Sequence, residues 1–187
     1  LFNGYFDYNS IFFSLVSSLS GIGFAPNKTY DELSIFFLFI LIIGGGFFST
    51  SSGFKFVKFL ILIKYSFNVI LISARPKHII KTRFFFSNLE INYNEIAKYF
   101  LTFLFMLISF FILSSFLSFY GINFQKSLTL SILTLTNTVN SANYGLSTFN
   151  FYNLENIPKI MLIFFMILGR IEILSLLILF KKFFLRD

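Results

Sequence analysis

Apolar residues run through this chain in blocks of two lengths. The short blocks are 8–19 (YNSIFFSLVSSL), 33–43 (LSIFFLFILII) and 127–136 (SLTLSILTLT). The long ones are 99–120 (YFLTFLFMLISFFILSSFLSFY) and 160–180 (IMLIFFMILGRIEILSLLILF), while 54–73 continues the direction of 33–43 with Lys55, Lys58 and Lys64 embedded. A helix needs ~20 residues to cross a bilayer. Block 99–120 is therefore a full span, closed at each end by aromatic residues that suit the interface. Block 160–180 is also span-length but holds Arg170 and Glu172 near its centre. Block 33–43 is about half a span. Blocks 8–19 and 127–136 are too short to cross and are rich in hydroxyls.

Polar, small residues follow each hydroxyl-rich block: SGIGF (20–24) after the first, NTVNSANYG (137–145) after the second. A half-length helix that enters and leaves from one side places irregular backbone at membrane depth. That is tolerated only where the backbone is buried in protein or lines a water-filled cavity. Gly21 and Gly23 take φ > 0 freely, and Asn140 is of a type that does so readily. Carbonyls turned toward an axis in this way replace the hydration shell of an alkali cation. Taken singly, each stretch also reads as an ordinary exposed loop; their matching places favour the re-entrant reading. The order short helix, polar stretch, span occurs twice, with a full span between, so the chain reads as an internal repeat. The predicted fold is an all-α polytopic membrane protein built of tandem helix–pore helix–helix (M1-P-M2) units. Residues 1–92 hold one unit without its first helix, and residues 93–187 a complete one.

Composition agrees with a bilayer as solvent. The chain is 56% hydrophobic and 12% charged, with a mean hydropathy of +0.80, more apolar surface than a water-soluble domain of this length carries. The 32 phenylalanines fit a coding bias as well as packing, so no site is assigned to them. The absence of cysteine excludes disulfides and thiolate metal sites, and the lone His78 excludes a multi-histidine site. The net charge of +7 sits between apolar blocks. Residues 75–83 (RPKHIIKTR) contain four Arg or Lys and 181–187 (KKFFLRD) three more. The positive-inside rule puts 74–93 and the C-terminus in the cytoplasm; binding of anionic lipid or RNA is the less economical reading. His78 is read as a solvated loop residue. No signal peptide is visible ahead of the first block, and the chain is expected to be a fragment of a longer protein.

Residues 44–55, GGGFFSTSSGFK, interrupt the run from Ile35 to Ile63. Three glycines cost ~1 kcal/mol each relative to alanine in a helix, so the helix breaks at membrane depth. Ser49, Thr50, Ser51 and Ser52 can partner the freed backbone groups locally. A phosphate-binding loop is excluded, because Phe54 separates Gly53 from Lys55 and Phe56 follows. A packing kink between close helices is the plainer alternative.

These residues resemble the Trk/Ktr/HKT superfamily of potassium transporters, specifically the C-terminal half of a TrkH-like membrane subunit. SLSGIGF (18–24) is similar to the family's third filter, and GGGFFSTSSGFKFVK (44–58) to its Gly-Gly…Ser-Thr…Gly-Gly-x-Lys intramembrane loop. ARPKHIIKTR (74–83) is similar to its cytoplasmic linker, and MILGRIEILSLLILF (166–180) to its Gly-Arg-x-Glu last helix. The resemblance implies four tandem repeats around one pore, of which this chain holds the third, incomplete, and the fourth. It implies potassium uptake through a selectivity filter at Ser20, Gly21, Ile22, Gly23, Thr138, Val139, Asn140 and Ser141, with K+ carried on backbone carbonyls and no cofactor. It assigns a gating role to the loop at Gly44, Gly45, Gly46, Ser49, Thr50, Ser51, Ser52, Gly53 and Lys55. It further implies a homodimer, a cytosolic nucleotide-binding regulatory subunit (TrkA/KtrA-like) and a bacterial inner-membrane location. The chain departs from the family at the fourth filter, usually Asn-x-Gly-Pro-Gly, where it reads VNSANYG (139–145). Either Asn140 or the sterically poorer Ala142 takes the filter-glycine position. A relaxed potassium-over-sodium choice follows, so the alternative is a sodium-permeable or non-conducting, structural homologue.

An unpaired charge at a helix centre costs ~2.5–3.5 kcal/mol, so Arg170 and Glu172 are each expected to face protein or water. Two residues apart on a helix they point about 200° from one another and need separate partners. Arg170 is expected to face the pore and the carbonyls of 44–53 as an electrostatic barrier, and Glu172 to tie the helix to a neighbour through Lys55 or Lys58. An intramembrane enzyme is not expected: the spans hold no Ser-His or paired-Asp constellation.

Overall fold

The structure, a computed structural model, describes residues 7–26, 30–44, 52–74, 93–138, 142–146 and 149–170. Among these residues it is all helical. Six α-helices occur in the order α1 (Tyr8–Ser20), α2 (Ser34–Ile42), α3 (Phe56–Ala74), α4 (Tyr93–Phe119), α5 (Phe124–Thr136) and α6 (Asn156–Arg170). Short 3₁₀ turns lie at Asp31–Leu33, Ala142–Tyr144 and Phe151–Asn153.

Local chemistry explains the boundaries. α4 stops where Gly121 turns to φ 83°, its N–H donating back to the Ser118 carbonyl at 3.0 Å. Asn123 then starts α5, its side-chain oxygen accepting from the Gln125 N–H at 3.2 Å. This cap carries α5 a turn further toward its N-terminus than the apolar block at 127–136 predicts. The helix broken by glycine is the one expected: α2 ends at Ile42 and α3 starts at Phe56. The start of α1 is fastened to the lead-in to α2 by the Asp7 N–H, which donates to the Tyr30 hydroxyl at 2.7 Å.

α5 lies at the centre, against α4 on one side and α6 on the other, while α2 packs on α1, on α5 and on the 142–144 turn. Their shared core includes Phe37 and Leu41 of α2, Leu113 and Leu117 of α4, Leu130 and Leu133 of α5, and Phe165 of α6. α3 packs on α4.

Alongside this apolar core, the two short helices turn hydroxyls inward. On α1, Ser14, Ser17 and Ser18 are buried while Phe12, Phe13, Val16 and Leu19 are exposed. On α5, Ser127, Ser131, Thr134 and Thr136 are buried. Their hydroxyls are satisfied by the helix itself: Thr134 donates to Leu130, Thr136 to Ile132 and Ser131 to Leu128. Bonds of this local kind let a hydroxyl sit where no water is available. α3, with 19 residues, and the stretch Asn94–Phe119, with 26, are long and apolar enough to cross a membrane, and only 6% and 28% of their most apolar windows are buried. Helices this apolar and this exposed are not the hidden core of a soluble domain. These features are consistent with a helical membrane protein.

Candidate functional site

α1 and α5 are both 13 residues long, and both end on a left-handed residue: Gly21 at φ 70°, ψ 16° and Asn137 at φ 53°, ψ 37°. The bonding around the two ends is the same. The N–H groups of Gly21 and Ile22 return to Ser18 and Ser17, and those of Asn137 and Thr138 return to Thr134 and Leu133. In each case the chain leaves the helix through a tight reversal that uses the last free carbonyls. Glycine adopts such a φ at no steric cost, and asparagine is the next best choice. The second reversal is reinforced by a close hydroxyl pair, Thr136 Oγ1 and Thr138 Oγ1, both buried.

The turn Ala142–Tyr144, which follows α5, is bound to α1 and its exit segment through Asn143. This residue is 1% exposed. Its Oδ1 accepts from the Ser14 hydroxyl at 3.2 Å, and its Nδ2 donates to the Phe24 carbonyl at 3.1 Å. The same carbonyl accepts from the Ser17 hydroxyl at 2.9 Å. Beside this, the hydroxyls of Ser18 and Tyr144 lie 3.2 Å apart. The serines of α1 thus face the segment that follows α5, and the hydroxyl-rich character of the short helix is explained by this contact.

Below the helix ends lies the glycine break. A Cβ on Gly44 would sit 3.4 Å from the Leu19 carbonyl at the end of α1, and one on Gly53 would sit 3.5 Å from Thr136 Cγ2 at the end of α5. The two flanks of the break are joined directly, the Phe54 N–H donating to the Ile42 carbonyl at 3.2 Å. Ser52 and Phe54 are buried. Ser52 accepts from Asn137 Nδ2 at 2.8 Å, and the same amide donates to the Met166 carbonyl on α6 at 2.9 Å. α6 approaches so closely there that a methyl group on Gly169 would overlap the Leu135 carbonyl. A small residue is required where helix backbones meet in this way.

Of the residues expected at the filter, Ser20 donates its hydroxyl to the Ser17 carbonyl at 3.1 Å. Gly21 and Gly23 have φ of 70° and 84°, Ile22 is 50% exposed, and Thr138 is buried. Val139, Asn140 and Ser141 lie outside the described residues. The left-handed asparagine that the structure describes is Asn137, and Ala142, offered as the alternative to Asn140, opens a 3₁₀ turn without a positive φ. Of the gating stretch, Gly44, Ser52, Gly53 and Lys55 are described as above, while Gly45, Gly46, Ser49, Thr50 and Ser51 lie outside. Arg170 is exposed at the last described position of α6, directly after the Gly169 crossing, and Glu172 lies outside. Lys58, considered as a partner for Glu172, stands 5.9 Å above the Tyr99 ring.

Sequence reasoning missed Asn137, Asn143 and Gly169. Asn137 carried a usable signal, an asparagine immediately after the last periodic residue of a helix. Asn143 acts through tertiary contacts, for which one sequence offers no pattern, whereas Gly169 is the glycine of the Gly-Arg-x-Glu element of the last helix.

Comparison with curated proteins gives no match. A scan against family models matches residues 7–186 to TrkH, described as a cation transport protein. That range takes in both hairpin helices, the glycine break and the last helix. TrkH is a family of transporters and not of enzymes. The chain belongs to the TrkH family of cation transport proteins.

Proposed function

We propose that the chain forms half of a conduction path for a monovalent cation, potassium in the first instance, with its filter built from the stretches 20–23 and 138–141 that follow α1 and α5. One observation carries the reading: two helices of equal length end in the same left-handed turn, and Asn143 binds the turn that follows the second helix to the first helix and its exit segment. A helix C-terminus presents about half a negative charge, which favours a cation beside it, and main-chain oxygens beyond the helix end can replace the cation's water. The repeat division at 1–92 and 93–187 belongs to this reading. So does the role of 44–55 as a plug beneath the filter. Its support is that a Cβ on Gly44 or Gly53 would lie within 3.5 Å of the end of α1 or α5, so the flanks of that segment lie close to both short helices. Arg170 would supply a positive charge at the same level. A homodimer, a cytosolic nucleotide-binding regulatory subunit, an inner-membrane location and cytoplasmic placement of 74–93 complete the proposal.

The decisive experiment is Rb+ and Na+ flux into proteoliposomes containing the full-length protein, together with growth of potassium-uptake-deficient cells on low potassium. Saturable Rb+ uptake and restored growth are expected. Correctly inserted protein that moves neither ion would overturn the proposal. One observation favours the second reading, a sodium-permeable homologue: the stretch after α5 reads VNSANYG, with Asn140 or Ala142 where the family's fourth filter carries glycine. Equal Rb+ and Na+ flux would select it.

A further inference from the structure

Asn137 does more than end a helix. The left-handed conformation at φ 53° would be filled at least as well by glycine, so the backbone does not explain the choice of asparagine. Its side chain does. One Nδ2 group donates to Ser52 Oγ at 2.8 Å and to the Met166 carbonyl at 2.9 Å. An amide nitrogen has two hydrogens, and both are used here, one toward the flank of the glycine break and one toward the last helix. Three elements distant in sequence meet at this atom: the foot of α5, the segment that leads into α3, and α6. The Gly169–Leu135 crossing sits beside it on the same pair of helices, so α6 is held against α5 by backbone contact as well as by the amide. Thr136, the preceding residue, packs on Gly53 in the same way.

We infer that Asn137 is a coupling residue that fastens the last helix and the Ser52–Phe54 segment to the foot of the second short helix, so that movement of α6 is passed to the inner end of the ion path. The inference rests on the conduction reading for its consequence but not for its test. A bond donated to the Met166 carbonyl engages a backbone acceptor that already has an intrahelical role, which is how a side chain follows the movement of a whole helix rather than of one rotamer. Hydrophobic residues at this position would keep the packing and lose both bonds. Glycine would keep the backbone and lose both bonds, which makes it the cleaner probe.

The experiment is a double-mutant cycle in the full-length protein with Asn137→Gly and Ser52→Ala. Thermal unfolding in detergent is the first readout, and basal Rb+ flux with its Rb+/Na+ ratio is the second. Asn137→Gly is expected to lower the melting temperature, and Ser52→Ala to lower it less. The double variant should fall no further than Asn137→Gly alone. Basal flux through Asn137→Gly should rise about three- to tenfold, the effect expected from losing one or two hydrogen bonds, with the ion ratio unchanged. A residue that only stabilised the fold would lower flux instead. Strictly additive losses in melting temperature would overturn the coupling, as would unchanged or reduced basal flux in a folded Asn137→Gly protein. If wild-type protein moves no cation, the conduction reading fails, and the cycle in melting temperature still decides whether the three elements are joined through Asn137.

Discussion

Asn143 donates to the Phe24 carbonyl at 3.1 Å across 119 residues of chain. That bond, with the Ser14 hydroxyl on the other end of the same amide, makes one polar cluster of two hairpins that sequence separates widely. In a bundle whose outer face is apolar, such a cluster has no water to fall back on, so each member depends on the others.

Replacement of Asn143 by alanine leaves the Ser14 hydroxyl without its acceptor and removes one of the two donors to Phe24. The expected loss of stability is about 1–3 kcal/mol, read as a lower melting temperature in detergent. Asn143→Asp keeps the acceptor for Ser14 and presents an oxygen to the Phe24 carbonyl, and should be at least as damaging. A melting curve unchanged in both variants would show that the cluster does not hold the hairpins together.

Gly169 is where α6 crosses the end of α5 with no room for a side chain. Alanine there has to push the Leu135 backbone aside, an overpacking that typically costs about 1–3 kcal/mol. Gly145 is the control: its φ is 72°, but nothing lies within 4 Å of the place a Cβ would take. Gly145→Ala should therefore show backbone strain alone, about 1–2 kcal/mol, with no change in the accessibility of α6 to protease. Opening of α6 in the Gly145 variant, or none in the Gly169 variant, would count against the crossing.

Arg170 follows that crossing at the last described position of α6. If its charge stands in the proposed path, Arg170→Ala removes an electrostatic barrier, and ungated cation flux should rise on the order of tenfold for about 1.4 kcal/mol of barrier lost. Arg170→Lys should keep most of the block. Deletion within 46–52 should raise flux in the same direction. Wild-type flux in both the alanine and the deletion variant would dismiss the gate.

The chain has no cysteine, so single cysteines report sidedness without a background. A cysteine replacing His78 should be labelled by an impermeant maleimide only from the cytoplasmic side. One replacing Tyr152, which is 87% exposed, should be labelled only from the opposite side. Reversed labelling would invert the topology drawn from the basic loops.

Length and hydropathy made much of the architecture legible. The short block at 8–19 became α1, the break after 33–43 became the gap between α2 and α3, and the span at 99–120 became the last part of α4. α4 starts earlier because Tyr93 to Lys98 form helix although they are too polar to join an apolar block. The hydroxyl-rich short helices were also legible, but not the reason for them. Serine at 14, 17 and 18 reads as a composition until Asn143 and Tyr144 are placed opposite. Asn137 shows a different limit. Its backbone role follows a local rule, whereas the two acceptors of its amide lie 85 and 29 residues away, and no periodicity marks a contact of that kind.

The bond from the Phe54 N–H to the Ile42 carbonyl closes the glycine-rich interruption into a loop whose two ends are fixed to each other. Changes of length or composition between those ends need not shift the helices on either side, because their spacing is set at the knot and not by what hangs from it. Residues can therefore be added or removed between those two fixed ends without re-registering a membrane span.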